Sequence, residues 1–262
     1  MKHAQSALIK KDIRSITANK RLLSVILIVP LVLTVVLPSV FVIGAIQDPD
    51  SIADFQVLLN MFPTADADQT QRLIVSLLLN KIMPTFFLMI PIMATSVMAA
   101  TSFVGEKEKH TLETLLYSPL SLRRVFQAKI LSCFLVGMGV TYLSFAVMLS
   151  VVEAETLFFM GGAIMPEASW LIVMLLIAPA ICLAAIALTV RGSAKAQSVE
   201  ESQQRSVFLI FPIVALIVGQ FNGILLLDSQ ILLGLAAALV IADLLLMRGA
   251  ADRFTYENLL KN

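Results

Sequence analysis

Six apolar runs, each close to the length of one bilayer crossing, constrain this chain more than any other feature. They fall at about 22–46, 82–104, 126–152, 169–190, 206–227 and 230–247. About 20 apolar residues in a helix cover a hydrocarbon core of about 30 Å. The runs therefore predict an all-α membrane protein with six transmembrane helices, in a single domain over 1–262. Pro30, Pro38, Pro84, Pro91, Pro179 and Pro212 fall inside the runs. Neighbouring helices can satisfy the backbone groups a proline frees, so these read as kinks. The first run directly follows Lys20-Arg21. It is too long for a signal-peptide core and no small-residue cleavage site follows it, so it reads as a retained span.

Composition agrees. The chain is 58% hydrophobic and 14% charged, with a mean hydropathy of +0.90, against about 25% charged in a soluble domain. A formal net charge of +1 argues against nucleic acid as a partner, which usually calls for a basic domain.

The basic residues fix the expected sidedness. Seventeen of the 19 Lys and Arg residues precede span one, lie between spans two and three or four and five, or follow span six; Arg72 and Lys81 alone lie opposite. By the positive-inside rule both termini and residues 105–125 are expected to be cytoplasmic. A prokaryotic plasma (inner) membrane is the expected location. Residues 3–20 place Ile9, Ile13 and Ile16 on one helical face, with Lys10, Lys11 and Arg14 elsewhere. That pattern suits a helix lying in the leaflet surface and held by anionic membrane lipid. The outer segment 48–81 is too apolar for a free loop, carrying Phe55, Val57, Leu58, Leu59, Met61 and Phe62, then a second stretch at Leu73–Leu79. Short interfacial helices are expected there, with Lys81 snorkelling to the headgroups and Trp170 anchoring the outer start of span four.

Several chemistries lack their residues. No GxxxxGK[ST] loop occurs, so no nucleotide binds in that way; the chain is expected to bind no cofactor. Cys133 and Cys182 lie within spans and read as small apolar residues. His3 and His110 stand far apart without Cys partners, so no metal site is expected. Glu200-Glu201-Ser-Gln-Gln-Arg205 matches the EExxxR pattern of intramembrane glutamic proteases. Those enzymes also need span histidines, which this chain lacks, so no catalytic residues are assigned. Asp243 reads as an interfacial partner of Arg248 near the end of span six. Gly219-Gln-Phe-Asn-Gly223 is a GxxxG that permits close helix contact.

One water-facing piece has its own periodicity. In the insert after Gly105, Leu112, Leu115 and Leu116 share a helical face, opposite Glu106, Lys107, Glu108, Lys109 and Glu113. An apolar stripe with a charged back fits a groove on another protein. The run Glu106-Lys-Glu-Lys-His-Thr-Leu-Glu-Thr-Leu-Leu-Tyr-Ser-Pro-Leu-Ser resembles the E-x-E-x-x-T-L-E-x-L-L-x-[ST]-P-[LIV]-[ST] signature of type-2 ABC exporter permeases, closest to the NatB-like sodium-efflux branch. Lys10-Lys-Asp-Ile-Arg, Lys195-Ala-Gln-Ser and Phe254-Thr-Tyr-Glu-Asn-Leu-Leu are also similar, so the resemblance covers most of the chain.

The resemblance implies an ABC ATP-binding subunit as partner, with ATP and Mg held on that subunit. It also implies a homodimer or heterodimer with a second six-span permease. Residues 106–117 would be the coupling helix: Leu112, Leu115 and Leu116 its anchors, Glu106, Glu108 and Glu113 its rim, Thr111 part of the motif, Pro119 its end, and Ser121 the cap of the next helix. The chain thus reads as the membrane-spanning subunit of an ATP-driven exporter and not as an enzyme, with sodium efflux as the narrower alternative. A passive channel or protease fits the residues less well. Low span polarity favours an amphipathic or lipid-like cargo.

Overall fold

A computed structural model describes residues 2–47, 67–108, 121–193, 196, 198–204, 206–222 and 229–253. Every element among the described residues is helical. Helix α1 (Lys2–Ala18) is followed by α2 (Lys20–Gln47). Between them Asn19 accepts the Leu22 N–H on its side-chain oxygen at 3.3 Å, the N-cap arrangement that starts α2. Six helical stretches are long and apolar enough to cross a membrane: Leu22–Gly44, Gln71–Gly105, Arg123–Met160, Ala168–Ser193, Val199–Phe221 and Ser229–Leu246, here spans one to six.

Span two is composite: α3 (Ala67–Leu77), a π-helical turn (Leu78–Ile82), α4 (Met83–Phe87) and α5 (Met89–Glu108). Span three is the single helix α6 (Leu122–Met160). Span four joins α7 (Ala168–Ile172), a second π turn (Val173–Ile177) and α8 (Ala178–Ser193). Span five joins α9 (Val199–Gln204), a 3-10 turn (Ser206–Leu209) and α10 (Ile210–Phe221); span six lies within α11 (Ser229–Arg253). We call the membrane face carrying α1 the terminal face, and the opposite one the far face.

The expected interfacial helix at Leu73–Leu79 is instead part of the continuous helical path into span two. Ile74 and Val75 are 2% and 0% exposed, because this extension packs on α2 and joins the main apolar cluster. The stretch 48–66, with Phe55 and its apolar neighbours, lies outside the described residues.

Spans two and four form the centre. In their most apolar windows 72% and 61% of residues are buried, against 28%, 24% and 17% for spans one, five and six. One apolar cluster joins spans one to four around Met83, Phe87, Ile90 and Trp170; a second joins spans two, four, five and six through Ile92, Ile177, Ile181, Ile213 and Leu232. Inside lipid such contact depends on close packing more than on expulsion of water. Gly137 supplies the closest approach: a Cβ there would collide with Thr95 Oγ1 and lie 3.5 Å from Cys182 Sγ. Thr95 Oγ1 donates to that sulfur at 3.2 Å. Cys133 and Cys182 are both free and buried, as small apolar residues would be.

Both π turns arise from the same hydrogen-bond shortage. Proline has no N–H to give to the turn before it. Met83, preceding Pro84, bonds back to Leu78 O, and Ala178, preceding Pro179, bonds back to Val173 O. The next carbonyls, Leu79 O and Met174 O, would be served at the same spacing by the two prolines. They take side-chain donors instead: Trp170 Nε1 at 3.1 Å and Tyr142 Oη at 3.4 Å. Asn80 O, four residues before Pro84, accepts from Ser169 Oγ at 3.0 Å, and Lys81 O accepts from Gln220 Nε2 at 2.8 Å.

Trp170 is thus 3% exposed and edge-on to Phe87, 5.5 Å between ring centroids. It is an internal cap and not the interfacial anchor expected. Lys81, expected to snorkel, pairs with Glu167 at 3.3 Å. Span three ends at Gly161, whose φ of +66° suits glycine and closes the helix by donating to Leu157 O at 3.2 Å. Arg72, on the far-face extension of span two, donates to Met160 O at that same end.

Candidate functional site

The insert after Gly105 springs from the terminal-face ends of spans two and three, and these ends are tied by buried polar groups. Lys129, about two turns into α6, is 2% exposed. Its ammonium donates to Ser102 O at 2.6 Å and Ser102 Oγ at 3.3 Å, and lies 5.6 Å from the centre of the Phe103 ring. Asp12 of α1, 7% exposed, accepts from Ser102 Oγ and Ser132 Oγ, each at 3.3 Å. One hydroxyl therefore bridges a carboxylate and an ammonium that are both out of water. Phe103 and Phe126 close the site edge-to-face, 5.8 Å between centroids.

The sequence explains why α1 docks here. Ile16 is buried and Ile9 and Ile13 are half-buried, while Lys10, Lys11 and Arg14 are exposed. The expected apolar face exists, but it seats on span three with Asp12 at its centre.

A second short helix, α9, flanks the same root: Val199 Cγ2 lies 3.9 Å from where a Cβ on Gly105 would sit. Ser198 Oγ accepts the Glu201 N–H at 3.2 Å, an N-cap that starts α9. Ser202 Oγ donates to Thr189 O at 3.2 Å, tying α9 to span four. Glu200 and Glu201 are on the exposed side, in the first turn of α9.

Of the site residues read from the sequence, Glu106 and Glu108 fall on the last turn of α5, so the backbone of the expected helix 106–117 begins as an unbroken continuation of span two. Their side chains are outside the description, and Thr111, Leu112, Glu113, Leu115, Leu116 and Pro119 lie outside the described residues. Ser121 stands at the N-cap of α6 with extended backbone, but it caps through its carbonyl, which accepts from Arg124 N at 2.8 Å, and not through its hydroxyl.

The chain matches the family described as ABC-2 family transporter protein over residues 6–255. It belongs to that family. Comparison with curated proteins and with solved structures found no match. As an ABC-2 family member, the chain is an integral membrane permease subunit of a transporter, a class that typically works with an ATP-binding subunit.

Two acidic residues of this ABC-2 permease differ from their sequence reading. Asp12 gave no signal of its own, being one letter in a basic N-terminal stretch; its position four residues before Ile16 on the apolar face is the trace that could have marked it. Asp243 was expected at the interface beside Arg248. It is 5% exposed, and among the described residues, which do not include the Arg248 side chain, neither carboxylate oxygen has a hydrogen-bond partner. Among the described residues no group of three or more His, Cys, Asp or Glu could hold a metal ion. Span hydroxyls are turned inward: Thr101 bonds Val97 O at 2.8 Å, Thr141 bonds Gly137 O at 2.8 Å, and Ser96 bonds Ile92 O.

Proposed function

We propose that this ABC-2 permease is the membrane half of an ATP-driven exporter, and that residues 106–117 are the coupling helix that seats in a groove of a separate ATPase. The observation that carries this reading is the insert's root. An amphipathic segment with the permease signature leaves a helix whose end is locked, through Ser102, to both Lys129 of span three and Asp12 of α1. A push on the insert then moves spans two and three and α1 together. ATP and Mg bind the partner, both termini and the insert face the cytoplasm of a prokaryotic cell, and two six-span chains, identical or not, enclose the path.

An amphipathic or lipid-like cargo fits best. Ser96, Thr101 and Thr141, hydroxyls that could line a hydrated route, donate to carbonyls of their own helices. Sodium, the cargo of the NatB-like branch, is the narrower alternative carried by the sequence resemblance.

Leu115→Asp tests the coupling helix. Burying an unpaired charge costs a few kcal/mol, hence at least about tenfold in affinity. Co-purification of the ATPase with the mutant permease should fall by that factor while membrane insertion stays normal. Undiminished co-purification and undiminished transport-coupled ATP hydrolysis would remove the reading.

A further inference from the structure

We propose that the π turns Leu78–Ile82 and Val173–Ile177 are paired hinges near the far face, coupled through Trp170 so that they open together. In a regular helix, bending breaks bonds of the backbone ladder. Here the ladder is already interrupted, and the freed carbonyls are held by side chains from other spans. Opening a hinge therefore parts side-chain hydrogen bonds and loosens the wide backbone bond that closes each π turn, Met83 N–H to Leu78 O or Ala178 N–H to Val173 O, while the helices on either side stay whole. π turns recur at such functional interruptions.

The coupling follows from where Trp170 stands. It belongs to α7, the five-residue piece beyond the span-four hinge, yet its indole N–H closes the span-two hinge at Leu79 O. Swinging α7 about Val173–Ile177 withdraws that donor, and with it the neighbouring Ser169 Oγ from Asn80 O. Conversely, flexing span two at Leu78–Ile82 displaces the two carbonyls that hold α7 in place. The span-four hinge has its own latch on a third helix, Tyr142 Oη on Met174 O. The hinges are set by the helical geometry alone, whatever the insert meets.

The test is amide hydrogen exchange on the purified full chain in lipid nanodiscs. Trp170→Phe keeps a ring against Phe87 and Phe145 but removes the N–H; Tyr142→Phe removes only the hydroxyl. For paired hinges, each variant alone speeds exchange about fivefold, the factor one net hydrogen bond carries, at both 79–87 and 174–181. Faster exchange confined to the segment that lost its own donor, or no change in either, overturns the proposal. A second arm uses Pro84→Ala, which returns a backbone N–H at the spacing Leu79 O lacks. In that background Trp170→Phe should lose its effect on span four; an unchanged effect there also overturns it. Tyr142 is 44% exposed, so Tyr142→Phe keeps the test decisive if Trp170→Phe accumulates poorly.

Discussion

At the scale of single residues, the informative ones are those whose chemistry opposes their surroundings. Lys129 sits where the chain turns apolar, and by sequence it counts as one more basic residue of the terminal face. Span three was expected from 126, so Lys129 already fell within its first turn; nothing in the string says that Asp12, 117 positions earlier, arrives beside the same serine. Tertiary placement decides its role. Removing one member of a buried charge pair costs about 3–5 kcal/mol, whereas replacing both with neutral groups is often neutral. Lys129→Met alone should therefore lower the thermal unfolding midpoint in detergent sharply, and Asp12→Asn added to it should recover most of the loss. Additive losses in the double mutant would count against the shared network. Asp243 shows the limit of reading charge by position: it reads as interfacial, yet it is buried and, among the described residues, its carboxylate has no hydrogen-bond partner.

Helical elements were mostly legible because hydrophobic length is a local property. Six spans follow from six runs. Their interruptions follow from proline, which the string also shows, but not the way each interruption is repaired. Pro84 and Pro179 each predict a break in the backbone ladder; that Ser169 and Trp170 serve Asn80 O and Leu79 O, and Tyr142 serves Met174 O, depends on which helices meet. The same holds for Leu73–Leu79, which reads as interfacial because it is a short apolar stretch in a segment outside the spans. The cations on either side of it are engaged within the fold, Arg72 on Met160 O and Lys81 on Glu167, so the segment can sink into the bundle. Helix contact at Gly137 gives a prediction at this scale. Gly137→Ala drives a methyl into Thr95, and overpacking of this kind costs about 1–3 kcal/mol. The midpoint of thermal unfolding should fall, and Thr95→Ala should restore part of it by removing the colliding oxygen. Equal stability of Gly137→Ala and wild type would show that spans two and three can separate at no cost.

The whole molecule is a bundle with a polar lock near one face and proline-made turns near the other. Its orientation is predicted by the 17 basic residues assigned to the terminal face. A cysteine at Asp66 should react with an impermeant maleimide in intact cells, and one at Ser193 should not; Cys133 and Cys182 are buried and add no background. Labelling of both sites, or of Ser193 alone, reverses the assignment. Between the two faces runs α6, 39 residues without a break. At 1.5 Å per residue it is about 58 Å long, nearly twice a hydrocarbon core of about 30 Å. A rod of that length is a lever arm. Held at its base by Lys129 and gripped at its tip by Arg72, it would turn a tilt of about 5° near the root of the insert into a stroke of about 5 Å at the other end, close to the pitch of one helical turn.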